Sequence, residues 1–125
     1  MHLFIDNRSG LPIYDQIYRQ IRAAILDGTL QENDPLPSIR SLAKDLQISV
    51  ITSKRAYEKL EQEGFIYTAP ARGSFVAPKN PELVKEDNLR KIEEHLAEVV
   101  RLAKMYGISR EEINEMLEEE LEEST

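Results

Sequence analysis

Apolar positions in the first quarter of the chain recur at steps of three and four. Tyr14, Ile17, Tyr18, Ile21, Ala24 and Ile25 line one stripe of a helix. Leu11-Pro12 opens it with a proline in the first turn, where no N–H is needed, and Gly28 closes it. From Thr29 to Pro37 the periodicity is lost to Asn33-Asp34 and two prolines, which mark a loop. Ser38 then stands where it can cap a short helix that turns Ile39, Leu42, Ala43 and Leu46 inward. Gln47-Ile48 form a tight turn, and Ser49 caps another helix whose inward face is Ser53, Ala56, Tyr57 and Leu60 and whose end is Gly64. Two β-prone runs follow, Phe65-Ile66-Tyr67-Thr68 and Ser74-Phe75-Val76. Ala69-Pro70-Ala71-Arg72-Gly73 separates them, so they read as a hairpin with a loop longer than two residues.

Pro78 and Pro81 mark a boundary, and beyond Glu82 the pattern is helical again. Leu89, Ile92, Leu96, Val99, Ala103 and Tyr106 follow steps of 3, 4, 3, 4 and 3, a narrow heptad seam that Gly107 breaks. Ser109 with Glu112 has the spacing of a capping box and starts a last helix, with Ile113, Met116, Leu117 and Leu121 on one side. The glutamate-rich end after Glu118 is expected to fray. The pattern therefore predicts a mainly α chain with a small β-hairpin, divided into residues 1–78 and a two-helix tail over 79–125.

Composition narrows what such a chain can do. Its 125 residues suit one small domain with an appended module, and 41% apolar residues suffice for a compact core. Cysteine is absent, which excludes disulfides, thiolate metal sites and a cysteine nucleophile. No apolar run approaches the roughly 18 residues of a membrane span, and the first residues lack the basic and apolar regions of a secretory signal, so a cytoplasmic protein is expected. Neither a Ser-His-Asp order nor a phosphate-cradling glycine loop is visible. With His2 and His95 isolated, no metal, cofactor or enzymatic activity is expected.

A net charge of -7 argues against a polyanionic partner until its location is resolved. Residues 1–78 carry nine basic and nine acidic side chains, whereas residues 79–125 carry seven and fourteen. All the surplus acidity lies in the tail. Within 38–73 six basic residues (Arg40, Lys44, Lys54, Arg55, Lys59 and Arg72) face four acidic ones.

The order helix, helix, turn, helix, hairpin is that of a winged helix-turn-helix. The major groove of duplex DNA admits an α-helix, so the helix after the tight turn can present Ser49, Thr52, Lys54 and Arg55 to it. Val50 and Ile51 also point away from the core, and two readings of them stand: scattered surface hydrophobes, or apolar contacts with thymine methyl groups. Arg72-Gly73 fits the glycine requirement of a hairpin loop, and an arginine there can also enter a narrow minor groove. Lys44 and Lys59 read as background surface charges.

Three linked segments carry a specific resemblance: Leu36-Pro37-Ser38-Ile39-Arg40-Ser41-Leu42-Ala43, the run from Ile48-Ser49 through Thr52-Ser53-Lys54-Arg55-Ala56-Tyr57 to Gly64, and Gly73-Ser74-Phe75-Val76. Over residues 10–78 the chain resembles the DNA-binding domain of GntR-family regulators, and its short tail with Arg55-Ala56-Tyr57 is similar to the YtrA-like subfamily. The resemblance implies a homodimer joined by the tail helices that represses genes often including a transporter. It also implies that Arg40 contacts DNA, that Ser49, Val50, Ile51, Thr52 and Lys54 lie at reading or phosphate positions, and that Gly73 sits at the wing tip. Three positions depart from the family pattern: Val50 stands where many members have arginine, Ser53 where many have valine, and Asn33 where glycine is usual before Asp34.

The heptad seam can pack on its own chain or pair with a second copy. Pairing is favoured, because the tail helices alone are too few to enclose these side chains. The expected dimer contacts are Leu89, Ile92, Leu96, Val99, Ala103, Tyr106, Ile113 and Leu117. Two heads related by a two-fold axis predict an inverted-repeat site in double-stranded DNA with half-sites about one helical turn apart. No sizeable effector domain fits the remaining residues, and a small-molecule effector is left unassigned. The other function class is a protein-interaction module that uses the winged helix as a docking scaffold. Salt separates the two, since counterion release makes DNA binding steeply salt-dependent.

Overall fold

The computed structural model describes residues 1–124 and contains helices α1 (Ile13–Leu26), α2 (Ile39–Leu46) and α3 (Val50–Gln62), strands β1 (Ile66–Ala69) and β2 (Gly73–Val76), and helices α4 (Pro81–Tyr106) and α5 (Arg110–Glu123). It divides into two compact units, Met1–Pro81 and the residues from Glu82 onward.

In the first unit each helix begins and ends on a local cause. Pro12 precedes α1, and its carbonyl accepts the N–H groups of Asp15 (3.1 Å) and Gln16 (3.2 Å). Ser38 Oγ accepts the Ser41 N–H at 3.0 Å and starts α2, while Ser49 Oγ accepts the Thr52 N–H at 3.0 Å and starts α3. Between them Gln47 takes a left-handed conformation (φ 56°), and the Ile48 N–H returns to the Ala43 carbonyl at 2.9 Å. That single reversed residue is the turn of the helix-turn-helix. The apolar stripes then meet: Ile17, Ile21 and Ile25 of α1 are buried with Leu42 and Ala43 of α2 and Ala56, Tyr57 and Leu60 of α3. Full burial of one such aliphatic side chain contributes about 1.5–3 kcal/mol. Ser53, also fully buried, donates to the Ser49 carbonyl at 3.3 Å, so the polar residue at a core position is satisfied within its own helix.

Two tyrosines reinforce this packing. The Tyr57 hydroxyl donates to the Pro37 carbonyl at 2.7 Å, tying α3 to the segment before α2, and the Tyr18 hydroxyl donates to the Glu63 carboxylate at the end of α3. Burial pushes both phenols up to about 12, helped at Tyr18 by Glu63. A folded pKa above the unfolded value of 10.0 means that the protonated phenol is favoured by folding. This stability is fully present below pH 10 and is lost as pH rises toward 12. The denaturant midpoint is expected to fall over that window, and the Tyr18→Phe/Tyr57→Phe double variant to fall less. Equal slopes for the two proteins would contradict the assignment.

β1 and β2 pair antiparallel with Ile66 opposite Val76 and Ala69 opposite Gly73. The loop turns on the Arg72 N–H bonded to the Ala69 carbonyl (3.0 Å), with Ala71 and Gly73 both at positive φ (64° and 109°). Gly73 meets the conformational demand expected of it; Ala71 is a left-handed alanine that the sequence did not signal. The segment before α2 also departs from a plain loop. The Asn33 N–H donates to the Val76 carbonyl (2.8 Å), the Val76 N–H to the Asp34 carbonyl (3.0 Å) and the Leu36 N–H to the Ser74 carbonyl (2.9 Å), so this stretch lies along β2 like a third strand. Pro35 and Pro37 keep it from forming a full ladder. Asn33 adopts φ 67°, the left-handed conformation that asparagine tolerates in place of glycine.

Residues before α1 are held by two glutamines acting as strand surrogates. Gln16 bonds both the N–H (2.8 Å) and the carbonyl (3.0 Å) of Asp6, and Gln20 both the N–H (3.1 Å) and the carbonyl (2.8 Å) of Phe4.

In the second unit, α4 ends before Gly107 (φ 68°), and α5 opens on a complete capping box between Ser109 and Glu112. The acidic end expected to fray is helical through Glu123. Glutamate is a good helix former, and both the N–H and the hydroxyl of Ser124 close on the Glu120 carbonyl (3.1 and 2.8 Å). The heptad seam is uncovered: Leu89, Ile92, Leu96 and Tyr106 are 48%, 54%, 50% and 70% exposed. Leu96 and Val99 of α4 and Ile113, Met116 and Leu117 of α5 line an open groove of about 310 Å³.

Candidate nucleic-acid interface

The capped start of α3 gathers most of the residues singled out in the sequence. Ser49 is its N-cap, with its hydroxyl also donating to Thr52 Oγ1 at 2.7 Å, and Val50, Ile51 and Thr52 form its first turn. Because Ser53, Ala56, Tyr57 and Leu60 are the buried face, Ile51 projects from the opposite side and is 79% exposed; Val50 is 43% exposed. An isoleucine so exposed on the first turn of a helix gains nothing from the core. Lys54 lies on the same outer surface, loosely paired with Glu58 at 3.8 Å, an arrangement that solvent makes weak. Arg40 occupies the second position of α2 and is exposed, and Arg72 stands in the wing loop beside Gly73. The wing is braced on α3 by Thr68 Oγ1, 3.3 Å from Glu61 Oε2.

Charge is arranged unevenly in this unit. Arg19 (2.9 Å) and Lys59 (3.7 Å) both pair with Asp15, whereas Arg40, Lys44, Arg55 and Arg72 form no ion pair among the described residues. Cations left without carboxylates are available to an external anion. Arg55 lies one turn after Ile51 on the outer surface of α3, its guanidinium over the Tyr14 ring with Cζ 3.8 Å from the centroid. Lys59, which the sequence offered as background, sits 4.2 Å from the Tyr18 ring as well as beside Asp15. The signal for these contacts was present as two i, i+4 pairs, Tyr14/Tyr18 and Arg55/Lys59, but only the helix packing shows that they face each other.

The predicted dimer residues Leu89, Ile92, Leu96, Val99, Ala103 and Tyr106 lie on α4, and Ile113 and Leu117 on α5. Among the described residues no cluster of three His, Asp or Glu side chains could hold a metal ion, and no helix is long and apolar enough to cross a membrane.

A three-helix core with a capped, outward-facing third helix and a two-stranded wing defines a winged helix-turn-helix protein. The family model "Bacterial regulatory proteins, gntR family" matches residues 13–76, and the chain belongs to that family. It is 34% identical over 115 residues to the HTH-type transcriptional repressor YtrA of Bacillus subtilis, covering 92% of this chain and 88% of that protein. YtrA from Sulfolobus acidocaldarius, a GntR-family transcription factor, superposes with a TM-score of 0.60 at 37% identity over 76% of this chain and 96% of that one. The AraR DNA-binding domain in complex with operator ORE1 superposes with a TM-score of 0.52 at 25% identity, covering 62% of this chain and 94% of that one.

Proposed function

We propose that this protein is a transcriptional repressor that binds an inverted-repeat operator in double-stranded DNA as a homodimer. Residues 1–78 act as the reading head and 79–125 as the dimerising tail. The observation that carries the reading is the first turn of α3, where Ser49, Val50, Ile51 and Thr52 are held by a cap and Ile51 stands in solvent with no core to serve. Entering a major groove, that turn sets Ile51 and Val50 against thymine methyl groups, with Ser49, Thr52 and Lys54 beside them for base edges and phosphates. Arg40 approaches from the start of α2, and Arg72 and Gly73 from the wing. The operator-bound AraR domain of the same fold, and the repressor YtrA that matches nearly the whole chain, support a DNA partner and a repressing role.

The tail acts through the seam on α4. Half-exposed leucine and isoleucine at heptad spacing are buried when two copies pair, and the groove lined by Leu96, Val99, Ile113, Met116 and Leu117 receives side chains from the other copy. Surplus acidity in this unit keeps it away from the phosphate backbone.

Selection of bound duplexes from a random pool by the full-length protein tests the reading. An enriched inverted repeat, bound more weakly as salt rises, is the expected result. No enriched sequence at low salt would overturn it, and binding to a protein with little salt dependence would favour a docking scaffold instead.

A further inference from the structure

Arg55 differs from the other unpaired cations of the first unit in being held on an aromatic platform. Its guanidinium lies over the Tyr14 ring at 3.8 Å, closer than Lys59 to Tyr18 (4.2 Å) or Arg22 to Phe65 (5.4 Å). The two neighbouring rungs have different electrostatic fates. Lys59 is answered by Asp15 at 3.7 Å, whereas Arg55 has no carboxylate within ion-pair distance among the described residues. Glu58, which shares with Tyr14, Arg55, Lys59 and Gln62 an open cleft of about 340 Å³, pairs with Lys54 on its other side. Over the ring the Arg55 guanidinium makes no hydrogen bond among the described residues, so its N–H donors stay free, and these match a phosphate in bidentate fashion. The stack also removes rotamers that a free arginine would lose on binding.

Position along α3 says which phosphate. Arg55 stands one turn after Ile51 on the same outer surface, toward α1. With the first turn of the helix in the groove, a side chain one turn further out meets the groove wall, which is sugar and phosphate. We infer that Tyr14 is a positioning residue: its ring presents the Arg55 guanidinium to a backbone phosphate at the α1 edge of the recognition helix, so that Arg55 anchors the head without reading sequence. The inference rests on the DNA-binding reading above.

Affinity of the full-length protein for its selected duplex and for a scrambled duplex of equal length, each measured across a salt series, separates the possibilities. Each phosphate contact contributes about 0.9 to the slope of log affinity against log salt, so losing one per protomer lowers the slope of a dimer by about 1.8. Arg55→Ala, an exposed change, is expected to show that loss on both duplexes. Tyr14→Leu is expected to reproduce it, Tyr14→Phe to keep the wild-type slope, and Tyr14→Leu/Arg55→Ala to add nothing further. An unchanged slope for Arg55→Ala or Tyr14→Leu, a Tyr14→Phe protein that behaves like Tyr14→Leu, or additive losses in the double variant would each overturn it. A loss confined to the selected duplex would assign Arg55 to base reading instead. Salt-independent binding by the wild-type protein would remove the DNA-binding reading itself, which the variants alone do not.

Discussion

Replacing Leu96 by Glu is expected to convert the protein to a monomer and to lower its affinity for an inverted-repeat operator by about 10²–10⁴-fold, the gain that linking two binding modules supplies. The large effect comes from a difference in surroundings. In a single copy Leu96 is 50% exposed at the mouth of the α4–α5 groove, so a charge there costs the isolated chain little. Between paired copies the same charge would be buried among Val99, Ile113, Met116 and Leu117 without a counterion. Sedimentation gives the mass, and a duplex titration gives the affinity. Thermal melting of the head should be unchanged. A Leu96→Glu protein that remains dimeric would show that the seam is not the pairing surface.

Arg40→Ala carries the second large effect, an expected loss of about 1–3 kcal/mol in operator affinity per half-site if the side chain meets a base edge. Arg40 is exposed at the start of α2, and no carboxylate holds it among the described residues, so its removal disturbs no internal pair. Titration against the selected operator and single-base variants of it measures the effect. Relaxed preference at one position of each half-site would mark base contact; a uniform loss with a shallower salt slope would mark phosphate contact. Unchanged binding on every duplex would place Arg40 outside the interface.

The helical framework was legible because its signals are local. Ser38, Ser49 and Ser109 cap the helices they were expected to cap, and the buried stripes of α1 and α3 follow the spacing of Ile17, Ile21, Ala56 and Leu60. What escaped the sequence depends on partners distant along the chain. The Asn33–Pro37 stretch reads as a loop because its prolines break a strand pattern, yet the Asn33 and Leu36 amides find β2. Gln16 and Gln20 look like ordinary polar positions, but their amides bond backbone ten and sixteen residues away. Repulsion among the glutamates favours fraying of the acidic end, while glutamate's helix propensity and the Ser124 closure act the other way.

The candidate interface divides along the same line. Exposure of Val50 and Ile51 followed from the inward face of α3, and the structure adds its degree, 43% and 79%. Lys54 and Arg55 both follow from the outward stripe of α3. On a helix, adjacent residues diverge by about 100°, and the structure places Arg55 on the Tyr14 ring.

Hydroxyl-radical footprinting of the full-length protein on its selected duplex tests most directly the claim that two heads read DNA together. The account predicts two protected patches on each strand, related by a dyad and about one helical turn apart, with both lost at once in Leu96→Glu. One asymmetric patch, or protection that appears equally on unrelated duplexes, would contradict it.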